Sequence, residues 1–326
     1  MRRPSHPPIG LYVHVPFCAS KCAYCDFASY AGREADIPRY VDAVIREITR
    51  RGEDTRHPKA DTIFLGGGTP SLFSPEAIDR LLSEIRARLP LEPGAEVTLE
   101  ANPGTVTAAK LRGFRAAGVN RISFGVQSFH SHHLERLGRI HSPREAIEAA
   151  ERASAAGFED LNLDLIFAVP DQTLAEWEED LRTAIALEPD HISAYNLTFE
   201  EGTAFHAMRA RGQLRQAPEE IEVAMFTRAQ EILGEAGYAH YEISNYARPG
   251  RECRHNLNYW RGGVYLGVGA GAHSFAREPK PGRRWSGERN PNAYTRRVRE
   301  QGHARTFEES LTSSQACGEF VFLGLR

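Results

Sequence analysis

The sequence predicts an α/β protein in which a parallel sheet of repeated strand–helix units is followed by a C-terminal α+β extension. Three observations predict it. From Ile9 to Phe199, short runs rich in Val, Ile and Phe alternate with amphipathic stretches of helical period, the pattern of β-α units. Several of those stretches carry proline just inside their start, at Pro38, Pro75 and Pro143, where a missing N–H costs nothing. After Leu197 the alternation fails.

In order, strands are expected at Gly10–Val15, Thr62–Leu65, Glu96–Glu100, Arg121–Gln127, Asn162–Ala168 and Ile192–Leu197. Helices are expected between them at 38–51, 75–88, 107–117, 143–156 and 173–187, with Ser74 and Ser142 as N-caps of two. Six strands and five helices fit a partial (βα)6 barrel of TIM type or an open doubly wound sheet; the residue pattern leaves both open. In either, ligands bind at the carboxyl ends of the strands. Beyond 200, residues 217–237 read as one helix, 239–243 as a short strand and 247–263 as a loop dense in Arg, Asn and aromatics. The terminal run Glu319–Arg326 reads as the middle of a helix, so the natural protein is expected to continue past residue 326, where this chain is truncated.

The composition is that of a globular protein, 41% hydrophobic and 25% charged with a formal net charge of -3. Charges are scattered, so neither nucleic acid nor an anionic membrane is expected as partner. No apolar stretch approaches the roughly 20 residues of a membrane span, and Met-Arg-Arg-Pro-Ser-His-Pro-Pro has no hydrophobic segment behind its charges. A cytoplasmic location is the default.

Three of the five cysteines, Cys18, Cys22 and Cys25, fall within eight residues, which suits metal ligation better than a disulfide framework. They follow the first strand at its carboxyl end. Three thiolates can hold three irons of a [4Fe-4S] cubane and leave the fourth open to a small molecule. A zinc site is the alternative, although structural zinc normally takes four ligands. Cys317 is expected to be a small buried hydrophobe, and Cys253 is open to either reading.

The spacing Cys18-Ala-Ser-Lys-Cys22-Ala-Tyr-Cys25 resembles the signature of the radical S-adenosylmethionine (SAM) superfamily. The likeness extends through Tyr12-Val-His-Val-Pro-Phe-Cys, Gly66-Gly-Gly-Thr-Pro70, Gly125-Val-Gln-Ser-Phe129 and Asn162-Leu-Asp-Leu-Ile166, which resemble the oxygen-independent coproporphyrinogen III oxidase group over about residues 9–260. The resemblance implies a radical SAM barrel at 9–200 behind a tail at 1–8. It also implies an extension at 201–300 and the start of a small helical or winged domain at 301–326. SAM would chelate the open iron through its amino and carboxylate groups, and reductive cleavage would give a 5′-deoxyadenosyl radical. Matched position by position, Glu100 would accept from the SAM ammonium, Arg139 would pair with its carboxylate, and Gln127 with Asp164 would hold the ribose. Tyr12, Tyr24, Gly67, Gly68 and Thr69 match further SAM-contacting positions. From residue type alone, Arg139 reads as a solvated helix-end charge, while Gly66-Gly67-Gly68 reads as a loop whose bare backbone lets carbonyls approach a ligand ammonium closely, with a plain turn as the lesser alternative.

Phe27 stands where the oxidases of the group carry a fourth cysteine, and His255-Asn-Leu-Asn-Tyr-Trp260 matches a motif of its heme-chaperone branch. The branch implies heme, with His255, Tyr259 and Trp260 as candidate contacts and Arg251, Arg254 and Arg261 beside the propionates; imidazole can ligate iron and the aromatics offer flat apolar surface. By residue type alone the same histidine and aromatics read more readily as a buried structural cluster. The expected function is thus a heme chaperone with an acceptor protein and an electron donor as partners. The alternatives are oxidative decarboxylation of coproporphyrinogen III, or a zinc-stabilised module without radical chemistry. No catalytic residue is singled out.

Overall fold

The computed structural model describes residues 8–52 and 59–326, so all but one residue of the tail expected at 1–8 lies outside the described residues. Its sheet has twelve strands: β1 (Ile9–Val15), β2 (Ala60–Gly67), β3 (Leu91–Ala101), β4 (Arg121–Gln127), β5 (Asp160–Phe167), β6 (His191–Asn196), β7 (Ala239–Glu242), β8 (Asn245–Ala247), β9 (Tyr265–Val268), β10 (His273–Ala276), β11 (Arg283–Gly287) and β12 (Arg305–Ser310). Strands β1 to β6 are parallel and hydrogen-bonded in sequence order. At one end β8 pairs antiparallel with β6 and carries β7. At the other, β9 pairs parallel with β1, Gly10 opposite Tyr265 through Val13 opposite Val268, and β10 to β12 continue antiparallel.

The helices are α1 (Ile37–Gly52), α2 (Pro75–Arg88), α3 (Ala108–Ala116), α4 (Ser131–Leu137), α5 (Pro143–Ala155), α6 (Leu174–Ala186), α7 (Ala204–Ala210), α8 (Glu219–Glu235), α9 (Arg254–Trp260), α10 (Pro291–Gln301) and α11 (Ser313–Gly324). Local chemistry sets their starts. The Ser74 side chain accepts from Ala77 N–H, and Ser142 with Glu145 and Thr173 with Glu176 form capping boxes. Their buried faces recur at helical spacing, as Ile78, Leu81, Leu82 and Ile85 do in α2.

The two faces of each barrel strand differ in chemistry. Val97 and Leu99, Ile122 and Phe124, Leu161, Leu163 and Leu165, and Ile192 and Ala194 point outward into one core with the helices; a buried Leu or Ile there contributes about 1.5–3 kcal/mol. Their neighbours Thr98 and Glu100, Arg121, Ser123 and Gly125, Asn162 and Asp164, and His191, Ser193 and Tyr195 all line one cavity, with Tyr12 of β1 and Phe64 of β2. Six strands can share one cavity only if the sheet curls around it, which decides for the partial barrel over the open sheet.

Two expectations are corrected. The stretch 247–263 is not all loop, because it contains α9, and Cys317 is exposed on α11 rather than buried. α11 also leaves Phe320 and Phe322 exposed, as is Leu325 just past its end. Among the described residues no helix is long and apolar enough to cross a membrane.

Candidate functional site

The cavity is about 600 Å³ and its mouth carries the cysteine loop. That loop leaves β1 and is pinned by a short parallel ladder of Phe17–Cys18 with Tyr30–Ala31. Cys25 N–H donates to Cys22 O, and Lys21 Nζ donates to Phe27 O and Ser29 O. All three thiols line the cavity. Desolvation pushes Cys18 and Cys25 above the ordinary thiol range, so binding of a metal centre there releases protons.

The glycines after β2 have a use beyond admitting a ligand. A Cβ on Gly68 would stand 2.6 Å from Phe17 O and 2.8 Å from Val15 O, and Gly67, at φ +111°, presses on the His14 ring. The loop therefore packs against the strand that launches the cysteines. Thr69 closes the contact, its Oγ1 donating to Cys18 Sγ at 3.6 Å.

Arg139 is not a solvated helix end. It follows Gly138, the left-handed C-cap of α4, and its guanidinium donates through Nη1 to Cys22 Sγ at 3.4 Å and through Nη2 to Gly125 O at 2.6 Å. Its buried Nε has no partner, and neither has Oε1 of Gln127. Gln127 holds φ +70°, a left-handed conformation that costs a residue with a side chain of order 1–3 kcal/mol and recurs at functional sites. Tyr24 completes this wall, packed on Phe205.

Across the cavity, Glu100 Oε2 accepts from Gly67 N–H at 2.9 Å. Desolvation, with Asp164 nearby, raises its carboxyl to about 8. Asp164 accepts from Ser123 Oγ and Asn162 Nδ2, and burial raises it too. A carboxylic acid at one wall and a partly unsatisfied guanidinium at the other complement a zwitterion with ammonium and carboxylate ends. Between about pH 4.5 and 8 the ligand-free folded protein holds a proton on Glu100 that the unfolded chain has lost, so stability falls as pH rises through that window. Glu100→Gln is expected to flatten this part of the urea-unfolding profile against pH; an unaltered slope would assign the dependence to other groups.

The cavity floor is α9. Glu96 Oε1 accepts from His255 N–H and Oε2 from Arg254 N–H, anchoring the first turn of the helix inside the barrel. His255 is 1% exposed, with Nδ1 bonded to Thr62 Oγ1 at 2.7 Å and Nε2 to Tyr259 Oη at 2.9 Å. Its ring stacks on Phe64, and Tyr12, bonded to His14 Nδ1, lies beside them. Ligation of heme iron by His255 would require one of its two hydrogen bonds to be given up. Trp260 is covered by the guanidinium of Arg326 at 4.1 Å. Arg251 pairs with Asp160 and Arg254 with Asp61. Cys253, buried against Glu96, is pushed up to about 12, which makes it inert as a thiolate.

Sequence reasoning missed Phe64, Arg121, Asn162, His191, Ser193 and Tyr195 as cavity residues. For all but Phe64 the signal was present: a polar group at every second position of otherwise apolar strands. Arg121 is 2% exposed, with Nη1 donating to Arg251 O and Nη2 unpartnered. His191 is held between Asn162 and Tyr241.

The radical SAM superfamily profile matches residues 12–184. The chain is 47% identical over 270 residues to a protein of Escherichia coli (strain K12) named heme chaperone HemW, covering 82% of this chain and 70% of that one. It is 44% identical over 300 residues to the HemW of Haemophilus influenzae, covering 90% and 77%, and 37% identical over 321 residues to that of Bacillus subtilis, covering 97% and 82%. Among solved structures it is similar to the radical SAM enzyme coproporphyrinogen III oxidase (HemN) of Escherichia coli, with a TM-score of 0.86 and 25% identity over 98% of this chain and 76% of that one.

Proposed function

The chain belongs to the radical SAM superfamily and, within it, to the family of the heme chaperone HemW; from that premise we propose that it binds heme and hands it to an acceptor protein, with a [4Fe-4S] cluster and SAM as its resident cofactors. The observation that carries the cofactor assignment is the meeting of the three-cysteine loop with the orphaned Arg139 Nε and Gln127 Oε1 on one cavity. Cys18, Cys22 and Cys25 would hold the cluster. Arg139 would take the SAM carboxylate, Glu100 its ammonium, and Gln127 with Asp164 its ribose, while Tyr12, Tyr24, Gly67, Gly68 and Thr69 shape the wall. When bound, the cluster supplies one-electron reduction of the sulfonium, so an electron donor is a further partner. The protein residues do the positioning. Glu100, protonated when the site is empty, ionises beside an ammonium, and its burial away from water strengthens that pair.

The heme-handling assignment rests on the relatives and on Phe27, which is 56% exposed at the cavity mouth where the oxidases of the group carry a cysteine. We place His255 and Tyr259 in the floor of the cavity, where they would bear on heme through the shape of the barrel. The protein acts in the cytoplasm.

Anaerobically reconstituted protein is expected to bind about one heme per chain in an absorbance titration. With coproporphyrinogen III, SAM and a reductant, it is expected to release no carbon dioxide. Decarboxylation at a steady rate would return the chain to the oxidases.

A further inference from the structure

Outside the barrel cavity, one cluster of metal-ligating side chains stands out among the described residues: His132, His133 and Glu176, whose ligand atoms all lie within 4.8 Å of one another. The two histidines occupy the first turn of α4, and Glu176 the first turn of α6. His132 Nε2 is 3.1 Å from Glu176 Oε1, and His133 Nε2 is 3.4 Å from Glu176 Oε2. Two ligands held about 2.0–2.1 Å from one ion at a tetrahedral angle are about 3.3–3.4 Å apart.

His133 provides the independent observation. It is 1% exposed, yet Nδ1 has no hydrogen-bond partner and Nε2 faces the Glu176 carboxylate at 3.4 Å. Buried side-chain nitrogens normally have a hydrogen-bond partner, and here Nε2 is turned to the carboxylate of the same cluster. The carboxylate it faces is already oriented, because Glu176 Oε2 accepts from the N–H and Oγ1 of Thr173 in the capping box of α6. Metal-ligating groups are commonly fixed by such outer partners. His130 stands 5.7 Å away between ring centroids, but its Nε2 is engaged with Glu176 O, so it is not counted as a ligand.

We propose that His132 Nε2, His133 Nε2 and the Glu176 carboxylate form a binding site for a divalent first-row transition ion, zinc foremost, with a fourth position open to water. Two imidazoles and one carboxylate suit zinc and its neighbours rather than calcium or magnesium. The His132 and His133 rings already lie 4.0 Å apart between centroids. The site is separate from the cysteine loop, at the opposite end of α4 from Arg139.

The test uses untagged protein with its [4Fe-4S] cluster reconstituted, so that the cysteines are occupied, dialysed anaerobically against zinc alone and analysed for zinc and iron together. About one zinc per chain is expected in addition to unchanged iron. His132→Ala removes an exposed ligand without disturbing packing and is expected to weaken zinc binding at least about 100-fold, beyond the 10–100-fold that loss of an outer partner costs. His133→Asn is expected to do the same, with folding checked by circular dichroism. No retained zinc, equal zinc in wild type and His132→Ala, or zinc gained only as iron is lost would each overturn the site.

Discussion

Replacing Cys22 by alanine is expected to strip the protein of iron and sulfide and to end reductive cleavage of SAM. Two thiolates would remain where three are needed, and Arg139 would lose the sulfur that its Nη1 meets at 3.4 Å. In reconstituted protein, iron and sulfide should fall from about four of each per chain to background, and 5′-deoxyadenosine should not form. Cys253→Ala supplies the contrast: its thiol is buried against Glu96 on the cavity floor, so cluster content should stay as in wild type. A Cys22→Ala protein that kept the visible absorbance of the cluster would refute the assignment.

His255→Ala is expected to destabilise the fold by about 2–4 kcal/mol. The substitution leaves Thr62 Oγ1 and Tyr259 Oη without their partner and opens a hole under Phe64. The urea-unfolding midpoint measures it. Thr62→Val, which removes only one of the two bonds, should reproduce part of the loss. Should His255→Ala instead alter the heme spectrum while leaving the unfolding midpoint in place, His255 belongs to the iron and not to the floor.

The barrel strands were legible because each buries its outer row against helices, and Val, Ile, Leu and Phe recur there whatever the inner row does. The helices with an apolar stripe and a serine or threonine cap were legible for the same reason. α9 was not. Its sequence Arg-His-Asn-Leu-Asn-Tyr-Trp faces the polar interior of the barrel, so it shows no stripe, and the carboxylate that holds its N-terminus lies 158 residues upstream at Glu96. α4 is only seven residues long and begins with Ser-His-His, which hid it. Arg139 misled by residue type because its position depends on the left-handed turn at Gly138 and on where the cysteine loop comes to rest. The resemblance brought the cysteines and the SAM-matching residues to attention. It could not show that the glycine loop packs against β1, nor that both nitrogens of His255 are engaged.

The pairing of β9 with β1 joins residues 10–13 to 265–268, and this fixes an order of events at the ribosome. At about 5–20 residues per second, synthesis needs roughly 12–50 s to pass from Cys25 to Val268. Once β2 has been made, the strand that launches the cysteine loop keeps β2 on one side and an open edge on the other until β9 follows, and until residues 254–260 are made α9 does not close the cavity from beneath. Until α9 and β9 are made, the barrel therefore lacks both its floor and one neighbour of β1.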